Sequence, residues 1–126
     1  MKIQERGGKM GTKSFKEIEA WQLAHQFVLE VYKLTKDYPK EETYGLTSQF
    51  RRAAVSIAAN ISEGYKKQGT KDKIRFYNIS QGSLEECRYY LLLSKDLNYG
   101  YLPETEQLLD DTSRKLYNYI EAIKRG

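Results

Sequence analysis

Residues 44–64 read YGLTSQFRRAAVSIAANISEG, and their spacing decides what kind of fold this chain adopts. Leu46, Phe50, Ala54, Ile57 and Ile61 recur at steps of three and four, the period of one helical face. The middle of the stretch is small, since Ala53, Ala54, Ser56, Ala58 and Ala59 give a neighbouring helix room to come close. On another side runs a polar stripe, Gln49, Arg52, Ser56, Asn60 and Glu63, at steps of 3, 4, 4 and 3. The pattern predicts an amphipathic helix from about Tyr44 to Glu63, with Gly64 as its C-terminal cap.

Three more segments of this kind flank it. Upstream, Ile18, Trp21, Ala24, Val28 and Val31 predict a helix over about 16–37, stopped by Pro39. Downstream, Thr70 is placed to cap a long third helix that ends near Asn98, with Asn98 and Gly100 as breakers. Pro103 suits the first turn of a fourth, where Leu109, Thr112, Leu116 and Ile123 repeat. No segment alternates with period two for long enough to be a strand. The expected fold is all-α, an antiparallel up-down-up-down four-helix bundle over residues 15–126. Residues 1–14, with three Gly and four bases, read as a flexible basic leader. The third helix carries more apolar surface than one bundle core requires, which predicts a homo-oligomer.

A chain of 126 residues supports one domain, and 16 aromatics, eleven of them Tyr, argue against disorder. The longest uncharged run, residues 53–62, is half of what a membrane span needs, and the start lacks a signal-peptide core, so a cytoplasmic location is expected. Catalytic chemistry finds few carriers. His25 is the single histidine and Cys87 the single cysteine, and no motif joins them to each other or to an acid. A carboxylate-bridged di-metal bundle needs Glu-x-x-His on two helices, but Gln22 precedes His25 by three. Gly69-Thr70-Lys71 resembles only the end of a phosphate-binding loop. A non-enzymatic protein without cofactor or metal is therefore expected.

Two constellations remain. The polar stripe faces a possible partner set, Ser83 and Glu86, on the third helix; Arg52 pairing with Glu86 while Ser56 and Asn60 bond across the seam would make a buried network fixing register. The same stripe also suits a ligand or partner site. The second constellation is charge. The chain's net +4 is uneven: residues 51–75 carry +5, from Arg51, Arg52, Lys66, Lys67, Lys71, Lys73 and Arg75 against Glu63 and Asp72. Clustered cations attract phosphates, and the neighbouring Tyr65, Phe76 and Tyr77 offer rings on which bases can stack. Arg88 on the third helix extends the surface, and several copies would multiply it. A solvated basic turn fits the same charges, and a protein-protein interaction module using the tyrosine-rich helical faces, Tyr89 and Tyr90 among them, fits without nucleic acid.

The segment from Tyr44 to Gly64 resembles the signature of the bacterial 23S rRNA intervening-sequence proteins, a four-helix bundle family. Trp21 in the first helix, Tyr38-Pro39, Gly82-Ser83-Leu84-Glu85-Glu86 and Leu97-Asn98-Tyr99-Gly100 extend the resemblance over about 15–123. It departs in the long basic leader and in Ser62, where Ala is common. The resemblance implies a small cytoplasmic protein, similar to the accessory variability determinant proteins of diversity-generating retroelements. Those relatives form a pentameric barrel that binds nucleic acid and a reverse transcriptase. What this implies here is a homopentameric RNA- or DNA-binding scaffold, with an accessory role beside a reverse transcriptase or at an rRNA insertion.

Overall fold

The computed structural model describes residues 13–126, and these form a four-helix bundle with no strand among them. A 3-10 turn, Phe15–Glu17, leads into α1 (Glu19–Thr35); a second, Lys40–Glu42, precedes α2 (Leu46–Lys66); α3 (Thr70–Asp96) and α4 (Pro103–Arg125) follow. Each helix packs on its neighbour in the chain, and α1 closes the square against α4. Residue pairs give the directions. Ser80 meets Ile57 and Ser83 meets Ser56, so numbers fall along α3 as they rise along α2. Tyr77 with Tyr119 and Arg88 with Asp110 show the same antiparallel course for α3 and α4. The expected leader falls largely on residues 1–12, outside the described part; Ser14 Oγ accepts from Lys16 N–H and starts the first 3-10 turn. No helix among the described residues is long and apolar enough to cross a membrane.

The stripe read from residues 44–64 is the buried one: Leu46, Phe50, Ala54, Ile57 and Ile61 all lie in the core, with Phe27 of α1 and Tyr77, Leu84 and Leu91 of α3. Small residues let α2 and α3 form the most extensive pairing in the bundle. Ser80 Oγ, wholly buried, donates to the Ile57 carbonyl at 2.8 Å, and Ser83 Oγ donates to Ser56 Oγ at 2.9 Å. These bonds satisfy hydroxyls that burial alone would penalise.

Three boundaries differ from the expected ones. α2 continues past Gly64 to Lys66, and Gly64 is buried inside it. A Cβ there would lie 2.6 Å from Cε1 of Tyr77, so close approach, not a cap, is what requires glycine. Thr70 is the first residue of α3 rather than its cap; Gly69 holds the cap position with no side-chain bond. The first helix begins only at Glu19, because residues 15–17 wind as a 3-10 turn.

At the opposite end, Glu42 ties two connections together. Its carboxylate accepts from Leu46 N–H at 3.0 Å and from the Tyr99 hydroxyl at 2.7 Å. Gly45 permits this, since a Cβ there would lie 2.7 Å from Glu42 Oε1. Asn98 at φ 60° and Gly100 at φ 140° turn the chain out of α3. The Tyr38 hydroxyl donates to Ser94 Oγ beneath.

Gly64→Ala is expected to cost about 1–3 kcal/mol in urea unfolding, because the added methyl overpacks Tyr77 by more than alanine's helix preference of about 1 kcal/mol returns. On a Tyr77→Leu background most of that cost should vanish, as contacting residues couple. The Leu46 N–H first and the Tyr99 hydroxyl second hold the Glu42 carboxyl below the usual carboxylate range. Stability from a depressed carboxyl is present above its unfolded value of about 4.3 and is lost as pH falls through the lower folded value. Thermal midpoints of Glu42→Gln should therefore fall less steeply below about pH 4 than those of the natural chain.

Candidate nucleic-acid interface

The connection between α2 and α3 is three residues long, and this brings the cations at the end of one helix and the start of the next to a single corner. Lys66 and Lys71 are exposed there with no ion pair among the described residues. Lys67 and Arg75 lie over the ring of Phe76, at 5.0 and 4.6 Å from its centroid. Each also has an acidic neighbour, Glu63 at 4.0 Å from Lys67 and Asp72 at 3.5 Å from Arg75, both exposed pairs of little energetic weight. Ile74, Asn78 and Ile79 complete a shallow hollow beside Lys71 and Arg75.

Lys73 has a different task. Its ammonium donates to the carbonyls of Tyr65 at 2.7 Å and Gly64 at 3.3 Å, closing the open C-terminal end of α2 from the first turns of α3. Burial lowers its pKa from the ordinary lysine value. Arg51 is likewise tied inward: Nε donates to the buried Thr35 hydroxyl at 2.8 Å, Nη2 to the Tyr32 carbonyl at 3.4 Å, and the guanidinium lies 4.5 Å over the Tyr32 ring. Arg88 is on α3, far along the helix from this corner, paired with Asp110 at 2.6 Å and Glu85 at 3.4 Å. Of the eight cations expected at the interface, the fold gathers Lys66, Lys67, Lys71, Lys73 and Arg75, and separates Arg51, Arg52 and Arg88.

The aromatic half of the expectation changes. Tyr77 is 0% exposed, its ring packed edge-on against Tyr119 in the core. Phe76 is half-buried beneath two cations, and Tyr65 is half-buried with Lys73 5.6 Å from its centroid. None of the three is an open stacking platform.

The polar stripe also divides. Asn60 Nδ2 donates to the carbonyl and hydroxyl oxygens of Ser56, at 2.9 and 3.0 Å, and Ser83 joins them, so three of the expected members form a chain of bonds. Gln49 is exposed, Glu63 turns to Lys67, and Arg52 and Glu86 are exposed without an ion pair among the described residues. Their antiparallel register puts Arg52 and Glu86 level, but both look outward where water solvates them. The contribution of Ser80 and of Thr35 was not anticipated; a serine at each of 80, 83 and 94, on a buried helical row, is the signal that marks a polar seam.

Charge along the bundle is polarised. Dividing each helix at its midpoint, residues 13–27, 56–83 and 114–126 hold eleven Lys and Arg against five Asp and Glu, while residues 28–55 and 84–113 hold seven against eleven. The corner therefore sits on the basic half. Other titratable groups stand apart from it: His25 is exposed and stacked 5.1 Å from Trp21, and burial pushes the Cys87 thiol well up, with the Glu86 charge adding to it.

The family model of the 23S rRNA-intervening sequence protein matches residues 16–120, and the chain belongs to that family. A solved structure from Bacteroides thetaiotaomicron, described as a protein with unknown function from the S23 ribosomal protein family, is similar in fold, with a TM-score of 0.67. It is 24% identical and covers 83% of this chain and 98% of its own. No curated protein matches the chain.

Lys73→Met is expected to lower stability by about 1 kcal/mol through loss of the α2 cap, with unfolding in urea as the measure. Lys66→Met, which touches no cap, should change it by less than about 0.5 kcal/mol.

Proposed function

We propose that this chain is a non-enzymatic, oligomeric nucleic-acid-binding protein that grips phosphates at the α2–α3 corner. The observation carrying this reading is the convergence of Lys66, Lys67, Lys71 and Arg75 on one turn, with two of the four lacking an acidic partner among the described residues. With Tyr77 buried and Phe76 covered, the corner suits phosphate oxygens rather than bases, so it holds the backbone of RNA or DNA with little regard to sequence. The excess of basic charge on this half steers a polyanion toward it.

An oligomer fits the outward side of the bundle. Tyr89 and Leu92 are exposed one turn apart on α3, where water gains nothing from them. Burying this row between copies would repeat the basic corner around an assembly and raise affinity through multivalency. A homopentamer, and a reverse transcriptase as its protein partner, are the forms the family resemblance suggests. The same exposed row supports the other reading, a protein-interaction module, and the two differ in their dependence on salt.

Electrophoretic mobility shift against a structured RNA, over a series of salt concentrations, tests the proposal. Lys66→Ala with Lys71→Ala should weaken binding and reduce the log–log salt slope by about 2 per engaged protomer. Binding that ignores salt, or that survives reversal of both charges, would overturn the phosphate reading and favour the interaction module. Light scattering of the natural chain should give a mass several times that of one chain, and a monomer would remove the assembly.

A further inference from the structure

On the outer face of α2 lies a groove of about 740 Å³ whose lining contains Arg51 and Arg52 and no carboxylate. This is unusual for its position, because the half of the bundle around Arg51 and Arg52 carries an acidic excess. The grooves between α3 and α4, and between α1 and α4, contain Glu85 and Glu106, or Glu30, Glu104 and Asp111. Around the arginines are hydrogen-bonding groups from Thr43, Ser48 and Asn60, interleaved with the apolar surface of Val55, Ala59 and the rings of Tyr32 and Tyr44. Two arginines without a carboxylate suit an anionic ligand, and the rings and aliphatic patches beside them suit one that also carries flat apolar faces.

Two tyrosines frame it. Tyr44 is 95% exposed, so both faces of its ring are open. Tyr32 is held on one side by the Arg51 guanidinium. Arg52 is exposed with no hydrogen bond or ion pair among the described residues. Asn60 uses its Nδ2 on Ser56 and leaves its Oδ1 as an acceptor. An open ring, a free guanidinium and a free amide oxygen together are the groups that stack on, and hydrogen-bond to, an unpaired nucleotide.

The groove also lines up with the phosphate corner. Ser48, Arg52, Val55, Ala59 and Lys66 recur on one face of α2 at steps of 4, 3, 4 and 7. From Leu46 to Lys66 the helix runs for about 30 Å, and Tyr44 stands in the turn just before its start. Glu63 interrupts it, with its carboxylate turned toward Lys67 at 4.0 Å. We infer that this face is a track for single-stranded nucleic acid: phosphates held at Lys66 and Arg52, and a base stacked on Tyr44. The inference rests on the phosphate reading of the corner and adds to it a preference for unpaired strands, because a duplex keeps its bases stacked on one another and offers none to Tyr44.

The test compares fluorescence anisotropy of a labelled polythymidine strand of about 12 nucleotides with that of a duplex of equal length, on the full chain. Tyr44→Ala should weaken single-strand binding roughly tenfold and duplex binding by less than about twofold, while Tyr44→Trp keeps both. Lys66→Ala with Lys71→Ala should weaken both, which separates the track from the corner: loss with the lysine pair but equal behaviour of Tyr44→Ala on strand and duplex overturns the track alone. No loss with the lysine pair overturns the corner. Because Tyr44 packs on nothing, Tyr44→Ala should melt like the natural chain. Should light scattering show that it instead lowers the subunit number, the groove is an interface between copies and the track is overturned.

Discussion

Where α2 passes α3, the buried residues Ala53, Ala54, Ala58 and Gly64 bring the helix backbones close enough for the Ser80 hydroxyl to reach the Ile57 carbonyl. Dispersion falls off steeply with distance, so a seam this close gains many contacts from small side chains, but it tolerates no added atoms. The position of Tyr77 follows from it. Its ring fills the space that Gly64 leaves, reaches Tyr119 on α4, and so transmits the α2–α3 spacing to a third helix. A larger residue on either side of that contact would part the helices at the end of the bundle where the cations lie.

The same closeness explains the basic corner. Helices that pack tightly and antiparallel can be joined by three residues, and a short connection crowds together whatever the sequence places on either side of it. Here these are lysines and arginines. The fold relieves the crowding in two ways: Lys73 goes to the carbonyls at the end of α2, where positive charge is favoured, and Phe76 offers its ring to the cations of Lys67 and Arg75. Lys66 and Lys71 are left in water. Charge that survives folding without a partner is the part that can attract a phosphate at long range.

How much of this the sequence conveys differs from residue to residue. The stripe from Leu46 to Ile61 repeats with helical period, and burial of one face is what such a period means, so α2 and its core were legible. So was the antiparallel order, since short connections leave little choice. Gly64 was legible as a glycine needed somewhere near a helix end, but its reason was not: a cap and a close contact both call for glycine, and the choice depends on Tyr77, thirteen residues away. The candidate interface suffered the same loss of information. Tyr77 and Phe76 count equally as aromatic neighbours in a window, yet one is core and the other a partner of cations, because adjacent residues on a helix point about 100° apart. Arg52 and Glu86 share a level but not a facing direction, which composition cannot reveal.

Arg51 and Arg52 show what that angle does for function. Both line the groove, but as neighbours in the chain they leave α2 about 100° apart, so each arginine meets a different environment. Arg51 turns to α1, where the Thr35 hydroxyl and Tyr32 carbonyl accept its protons and the Tyr32 ring lies beneath it. In this position it neutralises no ligand, but it fixes the α1–α2 wall of the groove. Arg52 is left outward on a packed helix, next to a residue whose side chain is bonded to α1. An arginine on a loop loses backbone as well as side-chain freedom when it binds; one on a packed helix loses side-chain freedom alone. The doubled arginine thus divides its labour between a contact that stiffens α2 and a charge that α2 presents.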